Sequence, residues 1–559
     1  MYALLIPLFS PLLVLTVALL PRVGRSIGPR LAPWAPMPAL LLALAAPPTA
    51  RLDLPGVLLG TTLSLDDTGR LFLLFTAFVW LMAGWFAVGW LRDDPKRFRF
   101  WLFFLAAQTG SIGLCLAMDA VSFYLLFVLM TFAAFGLVVH SGTPAARRAG
   151  KVYLGMAVLG EATLIVGMLL AVRGADSWLF EVISVSPIHD LAISLLVLGF
   201  GIKVGLPLLH GWLPLAHPVA PVPASAVLSG VMLKAGVLGW LRFLPLGVHA
   251  SPSVGAGLMV AGVTAMFLGV AIGLMQRDLK ELLAYSSVSQ MGFLTLAVGA
   301  GLLEPAAWPW LLPAVGLYAG HHALAKSALF LGAGLVRRVG ASRWMLAGLA
   351  LPALALAGAP YTSGMFAKLE LKAALAHLPG TWMLGLSWVL PIAAGATWLL
   401  MLRLLWLAAR KQGDGGGAEL GVLPWMFALI AVAAGAWRWA PSMPSGKELG
   451  TALVPLVTAS GIFLVAVRVR PRFPSVPPGD FIVLIEYVME LMRTRMSRRP
   501  FSTLSVFPSR IAAIRLPGEF GEGGWPVAAA LWLFVLIALL IALGMTGATF
   551  FELLTEIHA

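Results

Sequence analysis

An all-α polytopic membrane protein with about 16 transmembrane helices is expected for this 559-residue chain, and three features lead there. Hydrophobic residues make up 60% of the chain and charged residues 11%. A soluble domain carries about 25% charged residues, so water is not the solvent for most of this surface. Apolar runs of about the 20 residues needed to cross a bilayer recur from end to end. The loops between those runs alternate between basic and non-basic, except the seventh, around His210 to Pro221, which has no Lys or Arg and does not bear on orientation.

The runs lie near residues 2–20, 31–49, 71–91, 101–118, 120–140, 152–173, 189–211 and 222–244. They continue near 253–275, 284–303, 308–336, 344–378, 382–408, 421–440, 451–467 and 525–546. Loops after odd-numbered runs hold Arg22, Arg25 and Arg30; Arg92, Lys96, Arg97 and Arg99; and Arg147, Arg148 and Lys151. Later ones hold Arg277 and Lys280; Arg337, Arg338 and Arg343; Arg410 and Lys411; and the basic stretch from Arg468 to Arg515. Loops after even-numbered runs are poorer in basic residues and often acidic, as with Asp66, Asp67, Asp176 and Glu181. The positive-inside rule then puts the odd loops in the cytoplasm and both termini outside, in the cytoplasmic (inner) membrane of a prokaryote. The first run lacks a basic stretch before it and an obvious cleavage site, and is read as a retained span.

The one sizeable polar stretch precedes the last run. Within it, residues 480–495 place Phe481, Leu484, Ile485, Val488, Met489 and Met492 on one helical face, with Glu486, Glu490 and Arg493 opposite. That pattern predicts an amphipathic helix at the cytoplasmic surface or against the bundle.

Several chemistries are excluded. The single cysteine, Cys115, rules out a disulfide framework and any site that needs two thiolates. The net charge of +14 resides in short loops between apolar runs rather than on a folded basic face, which argues against nucleic acid. No glycine-rich phosphate loop follows a strand, and no metal constellation stands out. No cofactor and no catalytic residue are expected.

Ionisable residues inside the spans carry the functional signal, because a charge at the bilayer centre costs about 2.5–3.5 kcal/mol even on the lenient insertion scale. Glu161 lies about nine residues into the sixth run, near mid-membrane. Lys203, Lys234, Lys326 and Lys368 each sit within an apolar run, with Lys372 one turn after Lys368. His321 and His322 precede Lys326, and the four-residue spacing puts His322 and Lys326 on one helix face. Two of these runs are interrupted, by Pro207 and Pro214 and by Pro360 and Gly364. The twelfth run, about 35 residues or roughly 52 Å as a straight helix, is too long for a hydrocarbon core of about 30 Å unless it breaks. Paired interruptions beside ion-binding residues mark transporters built from inverted repeats. Lysines whose proton affinity responds to neighbouring charge, with histidines between them, suit proton relay. Snorkelling or structural ion pairing is the competing reading of the lysines, a structural partner for a lysine that of Glu161. His210 and His217, flanking a Trp-Leu-Pro turn, could ligate a metal or serve as a loop contact or proton access point.

The segments HGWLPLAHPVAPVPASAVLSGVMLKAGVLGWLRF, QRDLKELLAYSSVSQMGF, HALAKSALFLGAG and PYTSGMFAKLEL closely resemble the antiporter-like subunits of respiratory complex I. The same family includes large subunits of Mrp-type cation/proton antiporters and of membrane-bound hydrogenases. The resemblance implies inverted five-helix repeats, at 101–244 and 253–408, between N-terminal spans at 1–100 and C-terminal spans at 421–559. It implies a central hydrophilic axis of Lys203, Lys234, His322, Lys326 and Lys368. Secondary candidates in this sequence are His210, His217, His321, Asp278, Lys280 and Tyr318. Partners would be other membrane subunits of a multisubunit complex, and the cargo protons or Na+.

Three departures from the family pattern stand out. Val128 occupies the place of a fifth-span glutamate, leaving only Asp119 at that span's outer edge, and Glu161 is expected to take over as partner of Lys203. Leu215 stands where an aspartate is common, and Tyr318 where a second histidine is. The expected function is a proton-translocating subunit of a complex I-like or hydrogenase-like redox complex. The alternatives are a subunit of a cation/proton antiporter or of an ion-coupled inorganic-carbon uptake system, or a membrane subunit that no longer conducts.

Overall fold

The computed structural model describes residues 2–20, 24–46, 50–415, 419–438, 444–469, 476–479 and 482–483. The amphipathic helix expected at 480–495 and the span expected at 525–546 lie almost wholly outside the described residues. Contacts divide the chain into one compact unit, Met1–Pro478, and a second, Gly479–Ala559. All the elements below belong to the first. Among the described residues ten helices are long and apolar enough to cross a membrane. The chain is an all-α polytopic membrane protein.

Helices α1 (Leu5–Leu19), α2 (Gly24–Leu31) and α3 (Met37–Ala45) open the chain, followed by strands β1 (Arg51–Leu54) and β2 (Thr61–Ser64). Then come α4 (Asp67–Trp90), α5 (Arg97–Leu116), α6 (Ala120–Val138), α7 (Pro144–Ala175), the short α8 (Phe180–Ile183), α9 (Asp190–Val204) and α10 (Trp212–Val219). A π-helical stretch, Leu228–Met232, joins α11 (Val222–Val227) to α12 (Leu233–Phe243). The remainder is α13 (Pro252–Met275), α14 (Leu279–Leu303), α15 (Trp308–Val339), α16 (Arg343–Ala357), α17 (Ser363–Leu375), α18 (Gly380–Ala408), α19 (Glu419–Arg438) and α20 (Gly446–Val469). α14 and the span formed by α11 and α12 are almost wholly buried, while α20 is the least buried span.

The run expected as a second span at 31–49 is not one helix. It falls on the end of α2, a 3-10 turn at Ala32–Trp34 and the nine-residue α3, which at 1.5 Å per residue is about 13 Å long. Pro33 and Pro36 withhold backbone donors and divide it. Arg25 and Arg30, expected in a loop, lie in α2.

The hairpin was not foreseen. β1 and β2 pair antiparallel with Arg51 opposite Ser64 and Leu54 opposite Thr61. It clasps the helix starts: Asp119 caps α6 by accepting from Ser122 N at 2.8 Å and accepts from Thr62 N at 2.9 Å. Arg51 reaches Glu181 of α8 at 2.8 Å.

Helices α13 and α14 are in unusually close contact because glycines face each other. A Cβ on Gly262 would lie 2.7 Å from Gly292 O, and one on Gly292 would lie 2.5 Å from Gly262 O. Only residues without a side chain permit that approach.

Both expected interruptions exist, and they share one construction. In Gly205-Leu206-Pro207-Leu208 the first and last residues have φ of +84° and +70°; in Gly358-Ala359-Pro360-Tyr361 they have +86° and +59°. The amides of Gly205 and Leu206 both donate to Gly201 O, and those of Gly358 and Ala359 both donate to Leu354 O. The glycine closes a left-handed helix cap, and the proline cannot continue the helix. Pro214 and Gly364, read as parts of the interruptions, lie inside the following half-helices α10 and α17. Proline is tolerated in a first helical turn, and Gly364 lets α17 meet the backbone of Ala355.

Candidate functional site

A buried line of titratable groups follows α7, α9, α12, α15 and α17. Lys203 occupies the last turn of α9, just before the first break. Its ammonium donates to Thr131 Oγ1 at 3.2 Å and to the Tyr153 hydroxyl at 3.1 Å, while that hydroxyl donates to Thr131 O at 2.9 Å. The rings of Phe127, Tyr153 and Trp212 surround it at 5.7, 5.5 and 5.9 Å. Such contacts stabilise a cation electrostatically. Glu161, buried on α7, lines the same cavity of about 20 Å³ as Lys203, Thr131 and Tyr153. Its two oxygens have no hydrogen-bond partner and form no ion pair with Lys203. The space is about right for one water, which needs roughly 10–15 Å³ and two or more polar partners. Val128 is buried on α6, one turn before Thr131.

In the middle of the bundle the groups are threaded together. The Lys234 ammonium donates to Ser229 O at 2.6 Å, within the π-helical stretch. The Ser229 hydroxyl meets that of Ser287 at 2.7 Å, Ser287 Oγ donates to Leu283 O at 3.1 Å, and Lys326 donates to the same carbonyl at 2.7 Å. π-bulges recur at functional sites because they displace backbone groups from the regular ladder. His322, fully buried one turn before Lys326, has both ring nitrogens unpartnered and lies within electrostatic reach of Lys234 and Lys326.

At the far end, His321 Nδ1 meets Ser363 Oγ at 2.9 Å, tying α15 to the start of α17. Lys368 donates to Leu356 O at 2.9 Å and Ala357 O at 2.8 Å, the last carbonyls of α16. A cation there is favoured by the helix dipole. Beside it lies a cavity of about 70 Å³ lined by Lys368, Lys372, Phe293 and Thr451, room for several waters.

The secondary candidates divide. Lys280 reaches across to Pro218 O at 3.4 Å and to Ala220 O, at the C-terminal end of α10. His217 is stacked on Phe330 at 4.5 Å, its nitrogens unpartnered, within electrostatic reach of Lys280 and Lys326. His210 is buried in the first break, edge-on to Tyr285 at 6.2 Å. No group of three metal-ligating side chains occurs among the described residues. Asp278 is a helix cap, accepting from Lys280 N at 2.8 Å and Glu281 N at 3.2 Å. Tyr318 donates to Gln290 Oε1 at 2.9 Å, and Gln290 Nε2 donates to Thr397 at 3.0 Å. An amide in that position holds a geometry and does not readily pass a proton, because it donates through one end and accepts through the other.

The sequence alone does not mark Thr131, Tyr153, Ser229, Ser287 or Ser363. A signal existed for two of them. Tyr153 precedes Glu161 by eight residues, and Thr131 follows Val128 by three, so each shares a helix face with a residue already suspected.

The family model described as "NADH:quinone oxidoreductase/Mrp antiporter, TM" matches residues 117–391. Hydrogenase-4 component B of Escherichia coli (strain K12) is 33% identical over 311 residues, covering 53% of this chain and 45% of that protein. NADH-quinone oxidoreductase subunit N of Desulforudis audaxviator (strain MP104C) is 31% identical over 337 residues, covering 55% of this chain and 65% of that one. The chain thus spans less than two thirds of the length of these relatives. A chain of the membrane-bound sulfane sulfur reductase, an archaeal respiratory membrane complex, shares the fold. The TM-score is 0.67 at 20% identity, over 96% of this chain and 100% of that chain. The chain is a relative of the Mrp-type antiporters, the antiporter-like subunits of complex I and the hydrogenase-4-like membrane proteins.

Proposed function

We propose that the chain is a proton-translocating, antiporter-like membrane subunit of a complex I-like or hydrogenase-like redox complex. Protons would pass along Glu161, Lys203, Lys234, His322, Lys326 and Lys368. The observation that carries this reading is the thread from Lys234 through Ser229, Ser287 and Leu283 O to Lys326, with the unpartnered His322 beside it. Four relay lysines share this interior with one carboxylate, Glu161. Simultaneous charge on all of them would be unaffordable in a low-dielectric core. A proton on one group repels a proton from the next, so neighbouring occupancies are coupled. A core so rich in ammonium groups also disfavours Na+ as the cargo.

Glu161 is assigned the carboxylate role vacated at Val128, supported by the cavity it shares with Lys203. Their gap suits a bridging water that carries the proton between them. The identical Gly-X-Pro-X interruptions support two inverted repeats within about 16 spans, and the basic odd loops support termini on the outside. Other membrane subunits of the complex are the proposed partners.

The test is purification of the tagged chain from its native membranes in mild detergent, with its partners identified by mass spectrometry. Redox subunits are expected. Recovery of small membrane subunits alone would overturn the redox assignment in favour of a cation/proton antiporter, and one large non-redox partner would favour inorganic-carbon uptake. In the intact complex, Glu161→Gln is expected to slow proton translocation at least tenfold while electron transfer persists.

A further inference from the structure

The two breaks share a backbone but are closed by different side-chain chemistry. At the first, the indole Nε1 of Trp212 donates to Ile202 O at 2.8 Å, at the end of α9. At the second, the Lys368 ammonium donates to Leu356 O and Ala357 O at the end of α16. Trp212 also forms one wall of the Lys203 cage, at 5.9 Å, and meets Tyr153 edge-on at 5.2 Å. Tyr153 is the residue whose hydroxyl accepts from Lys203.

We propose that Trp212 is a positioning residue that locks the first break and the Lys203 cage together through a donor that never releases its proton, whereas the second break is locked by a donor that does. An indole N–H keeps its hydrogen at every physiological pH. An ammonium that loses its proton becomes a neutral amine, and a neutral donor makes a hydrogen bond about half as strong as a charged one. The first half of the molecule therefore holds its backbone through changes of charge. The second half releases the end of α16, next to the cavity of about 70 Å³. The titratable groups facing Lys368 are His321 from α15 and Lys372 from its own helix; the described walls from α14, α18 and α20 contribute none. The inference uses the relay reading only for the importance of Lys203, since the two locks are geometric.

Hydrogen–deuterium exchange of the full-length chain in lipid nanodiscs tests it, with rates corrected for the intrinsic pH dependence, between about pH 6 and 10. Residues 202–212 should keep constant protection, while residues 354–364 should lose at least tenfold as pH rises. Lys368→Arg should keep the second window closed throughout. Trp212→Phe retains a ring wall and removes the donor; it should deprotect the first window at least tenfold at every pH and leave the second as in the parent. Parallel loss in both windows, or an unchanged first window in Trp212→Phe, overturns the proposal. Should Trp212→Phe fail to fold, the Lys368→Arg arm decides, because an undiminished pH dependence there is equally fatal. If proton translocation survives Lys234→Met while the exchange pattern holds, the relay reading fails and this one stands.

Discussion

At the residue scale, Glu161 is legible in the sequence because a carboxylate at mid-membrane needs a reason, and the same holds for each buried lysine. Their partners were less legible. Thr131 and Tyr153 lie 50 or more positions from Lys203 in the chain, and serine, threonine and tyrosine are too common on membrane helices to mark a site unaided. At the ends of the spans and in the loops, polar pairs fasten the helices. Arg242 of α12 forms two 2.7 Å bonds to Asp66, the cap of α4, and is itself buried. Arg242→Met leaves the carboxylate uncompensated and is expected to lower stability by about 3 kcal/mol, read as a fall in thermal midpoint. On the opposite side, His140 Nε2 meets Asp94 Oδ2 at 3.0 Å, joining the α4–α5 and α6–α7 loops. Burial lowers the His140 pKa despite the raising effect of Asp94. Burial opposes charge on Asp94, yet the hydrogen bond from His140 and its other donors hold its pKa below the usual value. Both folded pKa values are lowered, so the unfolded chain binds more protons and both contributions shrink as pH falls. For His140 the decline starts below its unfolded value near 6.5, and for Asp94 below about 4. Unfolding followed from pH 8 to pH 5 should show falling stability, and His140→Asn should flatten that slope.

At the element scale, the breaks were legible because proline and excess length both act locally. The hairpin was not: its strands are four residues each, and what holds it is a set of contacts to Asp119 and Glu181, remote in the chain. The second span failed for the opposite reason. Its hydropathy is ample, but Pro33 and Pro36 interrupt the backbone ladder, and a hydropathy window does not register a missing N–H. The facing glycines of α13 and α14 carry a definite prediction. Gly262→Val would drive its side chain into Gly292 O, separate the helices and lower the thermal midpoint by the equivalent of about 3 kcal/mol or more. Gly257, whose Cβ would meet nothing, is the control: Gly257→Ala should be neutral or slightly stabilising.

At the scale of the whole molecule, the polar groups of the core fall into three clusters, and in the middle one hydrogen bonds reach from one relay lysine to another, from Lys234 to Lys326, by way of the carbonyl and hydroxyl of Ser229. On the proposed relay, translocation should depend most on the centre. Lys234→Met in the intact complex should reduce proton translocation at least tenfold with little loss of electron transfer, measured with a pH-sensitive dye in proteoliposomes. Ser287→Ala removes one strand of the thread but no charge, and a smaller, severalfold loss is expected from it. Equal losses from both would place the control in the hydrogen bonding and not in the lysine charge.

The interruptions also constrain how the chain is made. α9 has 15 residues and α10 has eight, about 22 and 12 Å of helix, and neither alone reaches across a core of about 30 Å. The machinery that moves a nascent chain sideways into lipid meets no complete span until both halves have emerged from the ribosome. Insertion of this region must then wait for α10, although α7, already synthesised, packs along α9. Chains released after residue 211 should leave α9 open to glycosylation tags or thiol reagents, and chains released after residue 244 should not. The same two glycines and two prolines that shape the two breaks should thus also set the order in which the molecule enters its membrane.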